Sequence, residues 1–221
     1  MDWEERAERE ERRYAEGLER LPDDPDARQK QLVRVAAAAT GAGLSRLMQG
    51  RRGEAAGWFA RSAERFRESF EDAPPGSWGR PIGALKARLL AGDRARAEAD
   101  ARWALEQGPA DVASPIGRYA AALAQFVVGA DQEAAALAES LQGEAEDAFP
   151  RPVADTLAAL ATGDGTAYAD ALARVLRSFE ERDAFLEDVP VADTVIVLEA
   201  LAEQRGLAVR PSSGLLPVAS G

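Results

Sequence analysis

The pentapeptide Pro-Val-Ala-Asp-Thr occurs twice in this chain of 221 residues, at 152–156 and again at 190–194. Related starts, Pro-Ile-Gly, stand upstream at 81–83 and 115–117. The four prolines are 34, 37 and 38 residues apart. A period of this length is typical of proteins built from repeated helix pairs, in which each pair buries its apolar face against the next. The spacing therefore predicts an all-α fold, a short α-solenoid of antiparallel helical hairpins.

The residues between these prolines also favour helices. A proline near the first helical position loses nothing, because its missing N–H would have no partner there. Each first helix of a pair ends near a glycine that is followed by an aspartate suited to cap the next helix, at Gly92-Asp93, Gly129-Ala130-Asp131 and Gly163-Asp164. Apolar residues recur at helical spacing between these points, which predicts about ten helices and at most a short strand in the tail.

We predict a single helical-repeat domain over residues 1–221. Residues 2–21 carry a thin apolar stripe and are expected to form an N-terminal cap helix, with a partner-binding arm as the alternative. Residues 26–72 are expected to form the first hairpin and residues 80–206 the repeats. The fourth unit keeps one helix only. We therefore expect the extended tail, 207–221, to cover that helix with four apolar residues, namely Leu207, Val209, Leu215 and Leu216.

The composition excludes several kinds of chemistry. The chain has no cysteine and no histidine, so disulfides, thiol chemistry, His-ligated metals and Ser-His-Asp triads are ruled out. No catalytic, cofactor-binding or metal-binding residues are predicted, and no cofactor is expected. The N-terminus is charged from its second residue, unlike a signal peptide, and no run of about 18 apolar residues is present. These features predict a cytoplasmic protein that does not associate with membranes.

The charge is strongly acidic, with a formal net charge of −11 at pH 7. Such a surface repels the phosphate backbone of nucleic acids and favours a protein partner with a basic surface. The alternative is general solubility or adaptation to high salt. That alternative agrees with the strong preference for arginine, since two of the 27 basic residues are lysine.

The densest acidic stretch near a predicted loop defines the candidate partner-binding surface. Its members are Glu180, Glu181, Asp183, Glu187 and Asp188. Loops at the ends of hairpins present side chains without disturbing the stacked core, so this stretch is a plausible docking surface for a basic partner. The alternative is an ordinary solvated turn.

Two further carboxylates, Asp155 and Asp193, occupy equivalent places in the repeated pentapeptide. An acidic side chain in the first turn of a helix stabilises the helix dipole, and this is the expected role of both. Equivalent positions in stacked repeats lie about one helix pair apart. That separation is too large for most acid–base pairs, which argues against a paired-carboxylate active site.

One segment resembles a known helical repeat. Residues 53–60, Gly-Glu-Ala-Ala-Gly-Trp-Phe-Ala, followed by residues 61–66, Arg-Ser-Ala-Glu-Arg-Phe, look much like the second helix of a tetratricopeptide repeat. The resemblance implies tetratricopeptide-like stacking of helical hairpins. The large and small residues of that family's first helix are poorly reproduced in this chain, and the repeat length drifts.

The C-terminal stretch resembles the close of the Immunity-protein-49 family of bacterial polymorphic-toxin systems. Residues 192–209 read Ala-Asp-Thr-Val-Ile-Val-Leu-Glu-Ala-Leu-Ala-Glu-Gln-Arg-Gly-Leu-Ala-Val, and residues 212–217 read Ser-Ser-Gly-Leu-Leu-Pro. The match covers only these residues. In that family the last helix leads through an Arg-Gly turn into a short extended piece that ends in Leu-Pro. The resemblance implies an all-helical protein that neutralises a cognate toxin by binding it, with no catalytic residues to transfer.

Three functions remain open from the sequence. The first is a protein–protein interaction module, with an immunity protein as its specific form. The second is a salt-adapted structural or oligomerising scaffold, for which a homo-oligomer is possible. The third is a carboxylate- or metal-dependent enzyme, which the missing histidine and cysteine disfavour. We predict that the protein is not an enzyme.

Overall fold

The computed structural model describes residues 2–145, 147–185 and 188–218, and this part of the chain contains α-helices and no strand. The all-α prediction is confirmed. Ten α-helices are present in the described residues, joined by short connections and, between α5 and α6, by a 3₁₀ turn at Pro109–Asp111. The helices are α1 Trp3–Glu19, α2 Pro25–Met48, α3 Arg52–Glu71, α4 Gly79–Ala91, α5 Arg94–Glu106, α6 Pro115–Val128, α7 Asp131–Gln142, α8 Arg151–Thr162, α9 Gly165–Glu180 and α10 Asp193–Glu203.

From α1 to α9, each helix packs against the one before and after it, as hairpin neighbours do in a solenoid. Two buried clusters result. The larger one runs from α4 through α10, and the smaller one joins α2, α3 and α4. The clusters meet at α4, which contributes Leu85 to the first and Ala84 to the second. The core is therefore continuous along the stack.

The predicted glycines end the first helix of three repeats, and two of the three predicted aspartate caps are present. Gly92, Gly129 and Gly163 end α4, α6 and α8 with φ values of 70°, 79° and 71°, the left-handed region that glycine adopts without steric cost. Asp93 caps α5 by accepting a hydrogen bond from the Arg96 N–H at 3.1 Å. Asp164 caps α9 by accepting from the Ala167 N–H at 2.9 Å. These caps satisfy backbone donors that the first helical turn leaves without partners.

Asp131 was expected to cap α7 and does not. The N-cap of α7 is Ala130, which makes no side-chain cap hydrogen bond. The carboxylate of Asp131 instead accepts from Arg205, whose Nε lies 3.1 Å from Oδ2. Arg205 also donates to the Phe126 carbonyl at 2.8 Å. Asp131, which the local sequence predicts to be a cap, therefore forms an ion pair with a residue that is distant in the sequence.

Arg205 lies just beyond α10, and its contacts with Asp131 and Phe126 tie the end of this last helix to earlier helices of the stack. Besides α8 and α9, α10 packs against α4, near the start of the repeats. The residues that precede it, Val189 and Val191, are buried in the smaller cluster with α2, α3 and α4. The fourth unit therefore crosses back over the earlier helices and does not simply add to the end of the stack.

The tail follows Gly206 and covers α10 only in part. Leu216 is buried, and Leu207 and Leu215 are half-buried against the larger cluster. The Leu215 carbonyl accepts a hydrogen bond from the Ala192 N–H at 2.9 Å. The prediction was wrong for Val209, which is 41% exposed. Because helices α4, α8 and α9 already cover much of α10, the tail has less apolar surface to bury than a simple end cap would.

The close approach of α2 and α3 generates a stability prediction. A Cβ atom on Gly43 would lie 2.6 Å from Cε1 of Phe59, a fully buried ring. We expect Gly43→Ala to destabilise the protein by about 1–3 kcal/mol, because a packed core resists added volume. Gly57→Ala is the matched control, since Gly57 lies inside α3 with nothing within 4 Å of the new methyl. That control should stabilise by up to about 1 kcal/mol. Urea denaturation measures both, and equal stability of the two variants would contradict this packing.

Candidate functional site

A cavity of about 410 Å³ lies beside the even-numbered helices α2, α4, α6 and α8, and α9 together with the segment that leads into α10 completes its wall. Its size is in the range of about 300–1,000 Å³ that is usual for ligand pockets. The wall is largely apolar and includes four aromatic rings. Six lining residues used below are Ile82, Ile116, Tyr119, Phe149, Phe179 and Phe185.

The aromatic rings form two pairs. The centroids of Tyr119 and Phe149 are 5.3 Å apart, and those of Phe179 and Phe185 are 6.5 Å apart. The guanidinium of Arg182 lies over the Phe179 ring, 3.8 Å from its centroid, and the Arg182 Nε donates to the Ser178 carbonyl at 3.2 Å. Separations of this order favour aromatic and cation–π attraction. These contacts restrict the positions of the rings.

Two charged side chains face each other in the cavity wall. The Lys86 Nζ lies 2.5 Å from Oδ2 of Asp193, and it also donates to Oγ1 of Thr194 at 3.2 Å. The Lys86 and Asp193 side chains are 19% and 21% exposed. Lys86 belongs to α4 and Asp193 opens α10. The pair therefore joins the start of the repeats to the returning last helix.

Two polar groups of the cavity wall have pKa values that the fold displaces. Burial alone would lower the pKa of Lys86, but the neighbouring Asp193 carboxylate outweighs it and raises that pKa above its usual 10.5. Burial raises the pKa of the Tyr119 hydroxyl above its usual value, with Lys86 acting in the opposite direction. At neutral pH the ammonium and the phenol both keep their protons. Neither can then act as a nucleophile or a general base.

The predicted acidic residues lie next to this cavity. Glu180 ends α9, Glu181 is its C-cap, and Asp183 and Asp188 follow in the connecting segment. All four are exposed, and we refer to them below as the acidic surface. The fifth predicted member, Glu187, lies outside the described residues. The structure thus places four of the five predicted residues on one connection.

The connection is tied to the rest of the molecule at two points. Glu180 accepts a hydrogen bond from Oγ of Ser213 in the tail at 2.7 Å. The backbone carbonyl of Asp188, a residue with a φ of 54°, accepts from the Arg6 guanidinium of α1. The same connection supplies Arg182 and Phe185 to the cavity wall. The acidic surface therefore borders the cavity, which the sequence reasoning did not foresee.

Sequence reasoning also missed the partner of Asp193. That residue does open α10, where a carboxylate favours the helix dipole, but its side chain also pairs with Lys86. Its counterpart, Asp155, lies inside α8 and contacts Arg151 at 3.0 Å and Arg174 at 3.1 Å. The sequence offered one signal for this pair, the rarity of lysine: Lys86 is one of two lysines in the chain.

Among the described residues, no group of three or more carboxylates is arranged to hold a metal ion. None of the described helices combines the length and the apolar character needed to cross a bilayer. No protein family, no curated protein and no solved structure matches the chain. The case for function therefore rests on the residues themselves.

The ion pair between α4 and α10 generates the next prediction. We expect Asp193→Asn to destabilise the protein by about 2–3 kcal/mol, because it leaves the Lys86 ammonium half-buried without its counter-charge. The control is Asp26→Asn, which removes the carboxylate from the other lysine, Lys30, at 2.7 Å in a pair more than half exposed. Its expected cost is at most about 1 kcal/mol.

The pH dependence of this effect has a definite sign. Since folding raises the pKa of Lys86, the pair's contribution is complete below the usual lysine pKa of 10.5 and is lost as the pH rises through the folded value. Denaturant unfolding at neutral pH and at about pH 9 should therefore give the same difference in unfolding free energy between Asp193→Asn and the parent protein. If Asp193→Asn lowers the unfolding free energy no more than Asp26→Asn does, the Lys86–Asp193 pair does not hold α10 in place.

Proposed function

We propose that this protein is a protein-binding helical-repeat protein whose acidic surface docks a partner with a basic surface. The observation that carries the proposal is the position of Glu180 and Glu181 at the C-terminal end of α9. A helix dipole disfavours negative charge at that end by roughly 0.3–1 kcal/mol per charge. The stability of α9 therefore does not explain these carboxylates, whereas attraction of a basic partner does.

The absence of charge partners for the acidic surface supports the same proposal. Within the described part of the chain, none of Glu180, Glu181, Asp183 and Asp188 makes an ion pair with an arginine or lysine side chain. Their side chains are exposed to solvent, and one of them, Glu180, also accepts a hydrogen bond from Ser213. Complementary charge of this kind mainly accelerates association and is screened beyond about 8 Å at physiological salt.

The C-terminal resemblance to the Immunity-protein-49 family supports a more specific form of the proposal, in which the partner is a toxin. A binding role agrees with a chain that has no histidine or cysteine and with a cavity whose lysine keeps its proton. The direct test is co-expression with the product of a neighbouring toxin-like open reading frame. Protection of the host cell supports this form, and unchanged toxicity contradicts it.

A second candidate is a salt-adapted structural or oligomerising scaffold. The observation in its favour is that α3 also ends in exposed acidic residues, Glu71 and Asp72, so the acidity is not confined to one connection. Sedimentation at rising protein concentration distinguishes the two. A mass that grows with concentration favours the scaffold, and a constant mass favours the binding module.

The docking proposal predicts a local effect of charge. We expect the triple variant Glu180→Ala, Glu181→Ala, Asp183→Asn to bind its partner with an association rate lower by several-fold at low salt, with little change in melting temperature. The measurement is capture of the partner from a lysate of the source organism, followed by biolayer interferometry with the purified partner.

The matched control removes the same number of exposed charges elsewhere, at Glu71→Ala, Asp72→Asn and Glu106→Ala. It should leave the association rate within about twofold, because short-range screening makes the effect local. A third variant, Leu157→Ala in the core, should lower stability by about 2–5 kcal/mol without changing the acidic surface. If both charge variants slow association equally, net charge alone matters and the acidic surface is not a docking site.

A further inference from the structure

The cavity and the acidic surface are neighbours, because the connection between α9 and α10 supplies Arg182 and Phe185 to the cavity wall and carries Asp183 and Asp188. We propose that the cavity receives one large apolar side chain of the protein partner, and that basic residues flanking this side chain contact the acidic surface. The basic flanks rest on the proposed function above. The apolar anchor is an additional site with its own test.

The charges around the cavity select an uncharged side chain for its interior. Lys86 and Asp193 neutralise each other at 2.5 Å and leave no net charge between them. An inserted cation would meet the Lys86 ammonium and the Arg182 guanidinium, both of which line the wall. An inserted anion would meet the Asp193 carboxylate and, on entry, the acidic surface. Since a charge placed in an apolar site without a partner is costly, an apolar group is favoured.

The walls fit an aromatic or large aliphatic anchor. Four aromatic rings and the side chains of Ile82 and Ile116 present carbon surface to the space, and about 410 Å³ leaves room for a large side chain. Ile116 is 41% exposed, which is unusual in this chain for a large apolar residue and places hydrophobic surface at the opening. Apolar anchors that fill a pocket inside a polar rim are the typical hot spots of protein interfaces.

One arginine of the chain itself lies in the wall of the cavity, next to the acidic surface in sequence. Arg182 lies over the Phe179 ring, between the acidic neighbours Glu181 and Asp183 in sequence. A guanidinium of the chain itself is therefore held over an aromatic face beside the cavity. A partner arginine adjacent to the anchor would meet the exposed carboxylates of Glu181 and Asp183.

The isoleucines of the chain provide a direct test. There are three, and Ile82 and Ile116 line the cavity whereas Ile196 does not. The probe is the peptide acetyl-Gly-Arg-Arg-Trp-Arg-Arg-Gly-amide, titrated into protein carrying ¹³C-labelled isoleucine methyl groups. We expect the Ile82 and Ile116 signals to shift together and the Ile196 signal to stay in place. Shifts that are equal at all three methyls, or absent from the cavity pair, would overturn the inference.

A second peptide, with glycine in place of tryptophan, separates the anchor from the charge. Its affinity should be lower by roughly tenfold or more, because it buries no aromatic surface. If the two peptides bind equally, the cavity is not an anchor site, although charge-dependent binding of both would leave the proposed function intact. If tryptophan-dependent binding persists unchanged in the Glu180, Glu181 and Asp183 variant, the cavity site stands and the docking role of the acidic surface fails.

A matched pair of substitutions tests the cavity from the protein side. Ile116→Trp should fill the opening and weaken the tryptophan peptide by roughly tenfold or more. Val209→Trp is the control, since Val209 is equally exposed at 41% but lies in the tail and does not line the cavity. It should leave the affinity within about twofold. Equal weakening by both variants would overturn the inference, and circular dichroism melts verify that each variant is folded.

Discussion

The ion pair between Lys86 and Asp193 connects α4 and α10, two helices that are far apart in the sequence, at the point where the C-terminal region crosses back over the stack. Once the start of α10 is held against α4, the residues before it, Val189 and Val191, are buried among α2, α3 and α4. The same arrangement closes one side of the cavity. Without this return, the repeats would form an open stack whose last helix had only one neighbouring pair to pack against.

Other ion pairs follow the same physical rule, that a charge removed from water must meet an opposite charge. Arg46 of α2 is 7% exposed and contacts Glu4 at 2.7 Å and Glu11 at 2.9 Å, both on α1. Asp100 of α5 is 3% exposed and contacts Arg67 of α3 at 2.6 Å and Arg88 of α4 at 3.0 Å. These pairs join neighbouring helices across an alanine-rich core. Arginine suits the task because its planar group reaches several oxygens at once.

In the proposed complex, the acidic surface and the cavity would have different roles. Exposed carboxylates act at a distance and govern the rate of encounter, whereas a preformed apolar cavity acts only at contact and governs how long a complex lasts. The acidic surface was predictable because a run of carboxylates is visible in the sequence. The cavity was not, because its rings and its ion pair come from α4, α6, the segment before α8, α9, the connection into α10 and α10 itself. Residues so dispersed carry no local pattern.

The repeated pentapeptide shows where sequence information ends. Local chemistry determined the helices themselves, since prolines, left-handed glycines and capping aspartates act within a few residues of where they stand. Yet 152–156 lies wholly inside α8, while in the second copy α10 begins only at Asp193. There Val191 is buried against distant helices, and the Ala192 N–H donates to the Leu215 carbonyl. Identical residues thus adopt two conformations, because contacts from remote parts of the chain satisfy in one copy the groups that a helix satisfies in the other.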